Sequence, residues 1–271
     1  MEIMNGKNSQ KIFLNQLKKE FQLFNFEKEI IIIVTGENKV ETSYLKAIEK
    51  MKEEIGYKIK IMHYIYISEK NLLKVIDKLN YDEKVSGIMV LYPLIDNLDE
   101  KEIKNHIHPK KDIEGLNEIS ILKKTYLPCT ALGIIMFLEE KKVNIQGKNI
   151  VLLNRSPRIG LPLFSYFSNH GADVTIMHAN SKNQTLLENA DIIISAIGKP
   201  HQIKSTIFKE NAIVIDAGMS LLNGKIVGDI QIKEPNLMKY YLPPIHGVGP
   251  YTIMALASNI YTSYFYSSSL K

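Results

Sequence analysis

The stretch Asn149-Ile-Val-Leu-Leu-Asn-Arg-Ser-Pro-Arg-Ile-Gly-Leu-Pro162 decides the fold of this chain. It runs from unbroken hydrocarbon into a polar turn marked by Pro157, Gly160 and Pro162. Apolar residues without alternation make a strand covered on both faces, as in a parallel sheet. The turn and helix start that follow aim free N–H groups at whatever anion docks there, which reads as a phosphate cradle. Of the glycines in G-x-G-x-x-G only Gly160 is kept, so the neighbouring stretches must say what the cradle holds.

Outward from it, apolar strand patterns alternate with amphipathic helix patterns, the signature of parallel α/β architecture. Upstream, helices are expected at Lys11 to Phe24, Glu41 to Glu54 (closed by Gly56) and Glu69 to Asn80. Strands are expected at Glu29 to Thr35, Lys58 to Ile67 and Gly87 to Tyr92, the last stopped by Pro93. A helix from Thr130 to Lys142 follows Pro128, and further strands are expected at Asp173 to Met177, Asp191 to Ala196 and Ala212 to Asp216. The closing run Thr252 to Phe265 has helical spacing and should pack back on the first unit. The expected organisation is two α/β domains: residues 1–119 plus 252–271, and residues 120–251.

Composition narrows the function class. A chain of 271 residues, 45% hydrophobic and 23% charged, has room for two modest cores. One cysteine, Cys129, excludes a disulfide framework and a cysteine-only metal cage, and the cytoplasm is the default compartment. No apolar run approaches a bilayer span, and the first residues lack a signal-peptide pattern. A net charge of +5 without an arginine-rich, aromatic-laced stripe gives no reason to expect nucleic acid, and suits a small anionic ligand. His106 and His108 lack partners at metal-ligand spacing, so no metal is expected. Cys129, opening a helix, reads as a packing residue.

Two more turns resemble the first. Asp191-Ile-Ile-Ile-Ser-Ala-Ile-Gly-Lys-Pro200 and Val214-Ile-Asp-Ala-Gly-Met219 both place glycine at the carboxyl end of a strand, where dinucleotides lie in open α/β sheets. One such turn is ordinary packing; three in one domain favour a dinucleotide site. Asp216 reads either as a ligand contact or as a turn residue.

The order of motifs resembles the bifunctional methylenetetrahydrofolate dehydrogenase/methenyltetrahydrofolate cyclohydrolase family. The resemblance rests on Val34-Thr-Gly-Glu-Asn38 ahead of Tyr44, Leu91-Tyr-Pro-Leu94, Lys111-Asp-Ile-Glu-Gly115 and Pro128-Cys-Thr130. It continues through Asn154-Arg-Ser156 with Ile159, Gly160 and Pro162, then Gly198-Lys-Pro200, Val214-Ile-Asp216 with Gly218, Val227-Gly-Asp229 and Gly247-Val-Gly-Pro250. It implies an N-terminal α/β folate-binding domain and a Rossmann-type nucleotide-binding domain at 120–251, a tetrahydrofolate-type substrate in a cleft between the domains, NADP or NAD on the second domain, and a homodimer. It also implies a folate site at Tyr44, Ile48, Leu91, Pro93, Glu114, His246, Gly247 and Pro250. The implied cofactor site comprises Asn154, Arg155, Ser156, Ile159, His178, Ala196, Gly198, Gly218 and Met219.

The chain departs from the family where the cyclohydrolase chemistry lies. The family uses a tyrosine and a lysine four residues later, a glutamine in Val-Gln-Leu-Pro-Leu, and the second aspartate of Lys-Asp-Val-Asp-Gly. Here the tyrosine is Tyr44, but the lysine position is Ile48, the glutamine position Leu91 and the aspartate position Glu114. Tyr44, Ile48 and Met51 share one helix face, whereas Lys46 and Lys50 point away and cannot substitute. Tyr44 and Glu114 are the catalytic candidates that remain. Losing a positioned acid or base typically removes about two to four powers of ten in rate, so cyclohydrolase activity is expected to be weak or absent. Hydride transfer needs mainly orientation of two rings and is less exposed to the loss.

Other contacts are altered too. Pro243-Pro-Ile-His-Gly-Val-Gly-Pro250 carries His246 where the family has the first glycine of a pair; it reads as a new acid or base, or more simply as a loop histidine filling the gap. Asn154 replaces the leading glycine of Gly-Arg-Ser, and Asn tolerates unusual backbone angles. Arg155 suits a 2′-phosphate, which favours NADP over NAD, and His178-Ala-Asn-Ser181 offers a further ribose or phosphate contact. The resulting expectation is an NAD(P)-dependent methylenetetrahydrofolate dehydrogenase. The alternative is a catalytically weak paralogue that binds folate or nucleotide, or acts on another substrate.

Overall fold

The computed structural model describes residues 1–23, 27–36, 43–123, 125–178, 180–181, 183–233 and 238–268. In chain order its first elements are β1 (Glu2–Ile3), α1 (Lys7–Leu23), β2 (Glu29–Thr35), α2 (Ser43–Ile55), β3 (Ile59–Tyr64), α3 (Glu69–Tyr81) and β4 (Val85–Val90). Then come α4 (Glu100–His106), α5 (Glu118–Lys123), α6 (Cys129–Glu140), β5 (Asn149–Leu153), α7 (Gly160–Asn169), β6 (Asp173–Met177), α8 (Thr185–Glu188), β7 (Ile192–Ser195) and β8 (Ile203–Lys204). The chain closes with β9 (Ala212–Asp216), β10 (Ser220–Leu222), β11 (Lys225–Val227), β12 (Ile230–Gln231), β13 (Met238–Leu242) and α9 (Gly249–Ser268). Phe24 and Glu41, expected at helix ends, lie outside the described residues.

The chain divides into two compact α/β units. One holds Lys11–Cys129 with Ile253–Lys271 and is built on a three-stranded parallel sheet in the order β3-β2-β4. Ile30 to Val34 of β2 are all buried, as expected for a central strand covered on both faces. The residues of β4 are buried throughout, and a bridge from Ile88 to Asp112 extends the sheet by one short pairing. Strand β3 stops at Tyr64 rather than Ile67, because β2, its partner, ends at Thr35.

The second unit holds Met1–Gln10 with Thr130–Thr252. Its sheet has six parallel strands in the order β1-β13-β9-β7-β5-β6. Strand β5 is flanked by β6 on one side and β7 on the other, so the order reverses there and a crevice opens at the carboxyl ends of β5 and β7. Val151, Leu153, Ile193, Val214 and Tyr241 belong to the core beneath it.

The division differs from the expected one at residues 1–10, at 120–129 and, by a single residue, at Thr252. The first ten residues belong with the six-stranded unit because β1 pairs with β13, Glu2 opposite Tyr240 and Ile3 opposite Tyr241. Residues 120–129 belong with the three-stranded unit, where the Asn259 side chain donates to the Ile113 and Leu127 carbonyls and fixes the segment before α6. Among the described residues, no helix is long and apolar enough to cross a membrane.

Candidate active site

The turn after β5 is organised by Asn154. Its Oδ1 accepts from the Ser156 N–H at 2.7 Å and the Gly160 N–H at 3.1 Å, and its Nδ2 donates to the Ala196 carbonyl at 2.6 Å. Ser156 Oγ accepts from the Ile159 N–H at 3.2 Å, and the Ser156 and Ile159 carbonyls accept from the Leu161 and Leu163 N–H groups. This corrects the reading of α7 as an open cradle. Pro162 has no N–H, so every N–H in the first turn of α7 already has an acceptor within the chain. Gly160 is required here, because its backbone runs so close to the Asn154 carbonyl that no Cβ fits. Asn154 keeps an ordinary negative φ, so its value at this position is the three hydrogen bonds and not a tolerance for unusual angles.

Beside this turn lies a cavity of about 320 Å³. Leu153, Met177, Leu187 and Ile197 give it an apolar floor, and His178 and Ser181 stand at its polar side. An adenine nucleoside needs that combination, so these residues fit a bound dinucleotide. His178 and Ser181 are tied together by a bond from the His178 N–H to Ser181 Oγ; Ala179 between them lies outside the described residues. Gly198 has φ of 71° and nothing within 4 Å of where a Cβ would stand, which leaves an open backbone face. Arg155 and Met219 are exposed.

Two buried carboxylates sit behind the strand ends. Asp229 accepts from Ser195 Oγ at 2.7 Å, the Ile197 N–H at 2.6 Å and the Lys199 N–H at 2.9 Å. Asp216 accepts from the N–H groups of Gly218, Asp229 and Ile230 and from the Tyr241 hydroxyl. Burial first, and the Asp229 charge as well, push the Asp216 carboxyl up to about 6 against the hydrogen bonds that lower it. Asp216 is therefore a turn-holding residue rather than a ligand contact.

In the loop before α9, His246 takes φ of 62°, a left-handed backbone that suits glycine, and its side chain is exposed. The histidine does not fill backbone space as expected; it keeps the glycine-like path and points its ring outward. Its carbonyl accepts from the Gly6 N–H. Gly247 is buried, and a Cβ there would stand 2.7 Å from Pro243 Cδ. Pro250 is half-buried.

The three-stranded unit brings Tyr44 and Glu114 together. Helix α2 buries Leu45, Ile48, Met51 and Ile55 and leaves Tyr44 half-buried at the edge of that face. The Tyr44 hydroxyl donates to Glu114 Oε2 at 3.4 Å. Burial, and then the Glu114 charge, hold the Tyr44 phenol well above its ordinary pKa, so it is a proton donor and not a phenolate. Ile48 is 0% exposed and Leu91 4% exposed. The Tyr92–Pro93 peptide following Leu91 is cis, and Pro93 is exposed. Glu37 and Asn38, part of the opening motif, lie outside the described residues.

Among the described residues, none of Lys46, Lys50 and Lys111 takes the place of the absent lysine. Lys46 and Lys50 are exposed, and Lys50 pairs with Glu54 at 3.8 Å. Lys111 is buried, but its Nζ donates to the Leu79 and Asp82 carbonyls, both at 2.8 Å, and burial pulls its pKa down to about 8. Its neighbour Asp112 accepts from the Gly115 and Asn117 N–H groups and shapes the turn that carries Glu114. Cys129 is buried, and burial together with the Glu114 and Asp112 charges raises its thiol well above the usual range. It is no nucleophile.

Two family models span most of the chain: tetrahydrofolate dehydrogenase/cyclohydrolase, catalytic domain, at residues 4–114, and the corresponding NAD(P)-binding domain at residues 128–268. The chain belongs to the tetrahydrofolate dehydrogenase/cyclohydrolase family. The bifunctional protein FolD of Clostridium novyi (strain NT) is 36% identical over 269 residues, 95% of this chain and 97% of the relative. That of Bacillus cytotoxicus is also 36% identical, over 85% of this chain and 84% of its own. The crystal structure of the bifunctional enzyme FolD from Campylobacter jejuni matches with a TM-score of 0.92 at 31% identity, covering 99% of both chains. A methylenetetrahydrofolate dehydrogenase from the silkworm Bombyx mori matches at 0.88 and 29%, covering 100% of this chain and 99% of its own.

This member of the family is an NAD(P)-dependent oxidoreductase of one-carbon folate metabolism, a methylenetetrahydrofolate dehydrogenase. Sequence reasoning named Asn154, Ser156, Ala196, His178 and Gly218 around one sheet edge, and the structure joins the first three through a single carboxamide. It missed Asp229, which had entered only as a motif letter. The available signal was the Gly228-Asp229 pair after the β10–β11 hairpin, since Gly228 passes so close to the Asp216 carboxylate that no Cβ fits.

Proposed function

We propose that this chain oxidises methylenetetrahydrofolate with NADP or NAD and carries little or no cyclohydrolase activity. The observation that carries the proposal is the burial of hydrocarbon at Ile48 and Leu91, at 0% and 4% exposure, where proton-handling chemistry needs a cation and an amide. Tyr44 and Glu114 remain as a phenol and a carboxylate within reach of each other, able to orient a polar ring edge of the folate. Without the cation they cannot manage both the proton transfers and the oxygen that ring opening creates.

The bound dinucleotide supplies the hydride acceptor. The chain's own part is to hold the two rings in register and keep bulk water out. In the six-stranded unit, Asn154, Ser156, Ile159, Ala196, Gly198, Gly218, Met219 and His178 form the proposed dinucleotide site. Because the α7 amides are internally bonded, recognition of phosphate falls to side chains, above all the exposed Arg155, whose fork suits a 2′-phosphate and favours NADP. Pro93, His246, Gly247 and Pro250 complete the proposed folate contacts. The working species is proposed to be a homodimer, checked by sedimentation.

The test is a product analysis. Purified protein is given methylenetetrahydrofolate with either NAD or NADP, and reduced nicotinamide, methenyl and formyl products are followed together. The expected result is methenyltetrahydrofolate accumulating in step with reduced nicotinamide, faster with NADP. Methenyl hydrolysis well above its spontaneous rate overturns the cyclohydrolase half of the proposal. No reduced nicotinamide from folded protein overturns the dehydrogenase half and favours a binding module.

A further inference from the structure

Asp229 is fully buried, and a buried carboxyl group is retained only where hydrogen bonds fully engage it. Its donors come from one short segment: the Ser195 hydroxyl at the end of β7 and the N–H groups of Ile197 and Lys199 on either side of Gly198. The Ala196 carbonyl at the head of that turn accepts from Asn154 Nδ2. The turn is thus held by two side chains, while Gly198 keeps its open face.

A second carboxylate fixes the first. Asp216 accepts from the Asp229 and Ile230 N–H groups, at 3.1 and 3.0 Å, and so pins the backbone that carries Asp229. Gly218 admits the Asp229 carboxylate against its Cα, and Gly228 does the same for Asp216; a Cβ at either glycine would collide with the facing acid. The two acids and two glycines interlock. An ordinary turn needs none of this. Ile197, whose N–H Asp229 holds, is also a wall of the cavity beside His178 and Leu153.

We propose that Asp229 is a positioning residue for the dinucleotide, holding the turn after β7 so that Ile197 walls the nucleotide cavity and Gly198 presents its backbone to the ligand. The proposal rests on the reading of that edge as the dinucleotide site. Asp229 touches no ligand itself. Its role requires an acceptor on both oxygens, because each accepts from a backbone N–H, so an amide of the same shape must set an NH₂ against one of those donors.

The experiment compares wild type, Asp229→Asn and Ser195→Ala by titration with NADPH and with NADH, followed by nicotinamide fluorescence. KM for methylenetetrahydrofolate and the thermal unfolding midpoint are measured alongside. Asp229→Asn should weaken dinucleotide binding about tenfold, the loss expected when a buried donor is left facing another donor. The folate KM should stay near wild type. Ser195→Ala removes one of the three hydrogen bonds and should give the same selective loss at about threefold. If Asp229→Asn does not fold, the Ser195→Ala result decides. Unchanged dinucleotide affinity in a folded variant overturns the proposal, as does a rise of folate KM in parallel with a fall in dinucleotide affinity and unfolding midpoint. Wild type that binds neither NADPH nor NADH brings down the site reading itself, and the positioning role with it.

Discussion

The Asn154 carboxamide donates to the Ala196 carbonyl at 2.6 Å, tying the end of β5 to the end of β7 across the point where the strand order reverses. The same group accepts from the Ser156 and Gly160 N–H groups, so one side chain closes the turn, caps α7 and spans the crevice. A glycine, the family residue at this place, could do none of the three.

Asn154→Ala should therefore destabilise the protein by about 1–3 kcal/mol, the range for leaving partly buried backbone donors without an acceptor. Urea unfolding measures it. The affinity for the dinucleotide should fall in the same variant, because the Ala196 carbonyl loses its anchor. Wild-type stability would mean that water replaces the carboxamide without loss.

Ile48 tests whether the position has become core. If its role is packing alone, Ile48→Ala should cost about 2–5 kcal/mol, the range for truncating a buried aliphatic residue. Hydride transfer per folded molecule should change little. A loss of kcat without a loss of stability would show instead that Ile48 shapes the folate slot directly.

His246 holds a left-handed φ of 62° with an exposed side chain. A β-branched residue tolerates that backbone worst and glycine best, with about 1–2 kcal/mol at stake for a residue carrying a Cβ. His246→Val should therefore melt below His246→Gly, and His246→Gly at or above wild type, by calorimetry. If the imidazole served as an acid or base, His246→Gly would also lose activity; retention of kcat in that variant is the expected result.

How much of this was legible in the sequence depends on what each residue does. Strands β2 and β5 could be read because they are covered on both faces and show it as unbroken hydrocarbon, Ile30 to Val34 and Ile150 to Leu153. The register of α2 followed from the spacing to Gly36 before it and Gly56 after it, which puts Tyr44, Ile48 and Met51 on one face. Long-range pairing was not legible: nothing in Glu2-Ile3 says that it adds to β13, which groups the first ten residues with the six-stranded sheet. The cradle was read correctly as a strand-to-helix turn, but its open amides were not there, since a side chain's hydrogen bonds depend on where the backbone folds back. Asp229 was invisible for the same reason, its donors lying 30 to 34 residues away.

The buried acids set a pH dependence whose sign runs against ordinary acid unfolding. Burial raises Asp216 from 3.8 to about 6, and Asp112 in the other unit also from 3.8 to about 6. A folded-state value above the unfolded one means that the native protein binds more protons between the two, so stability falls as pH rises through that window. The contribution from each acid is fully present below its unfolded value near 3.8 and lost above about 6. Asp191 has the opposite sign: Lys209 and the Asn149 N–H lower it, so its contribution is lost only as pH falls below the ordinary carboxylate range. Unfolding free energy followed from pH 7 down toward about pH 5 should accordingly hold or rise. Asp216→Asn and Asp112→Asn should each flatten that slope, whatever their effect on absolute stability. A wild-type slope retained in both variants would assign the proton uptake to other groups.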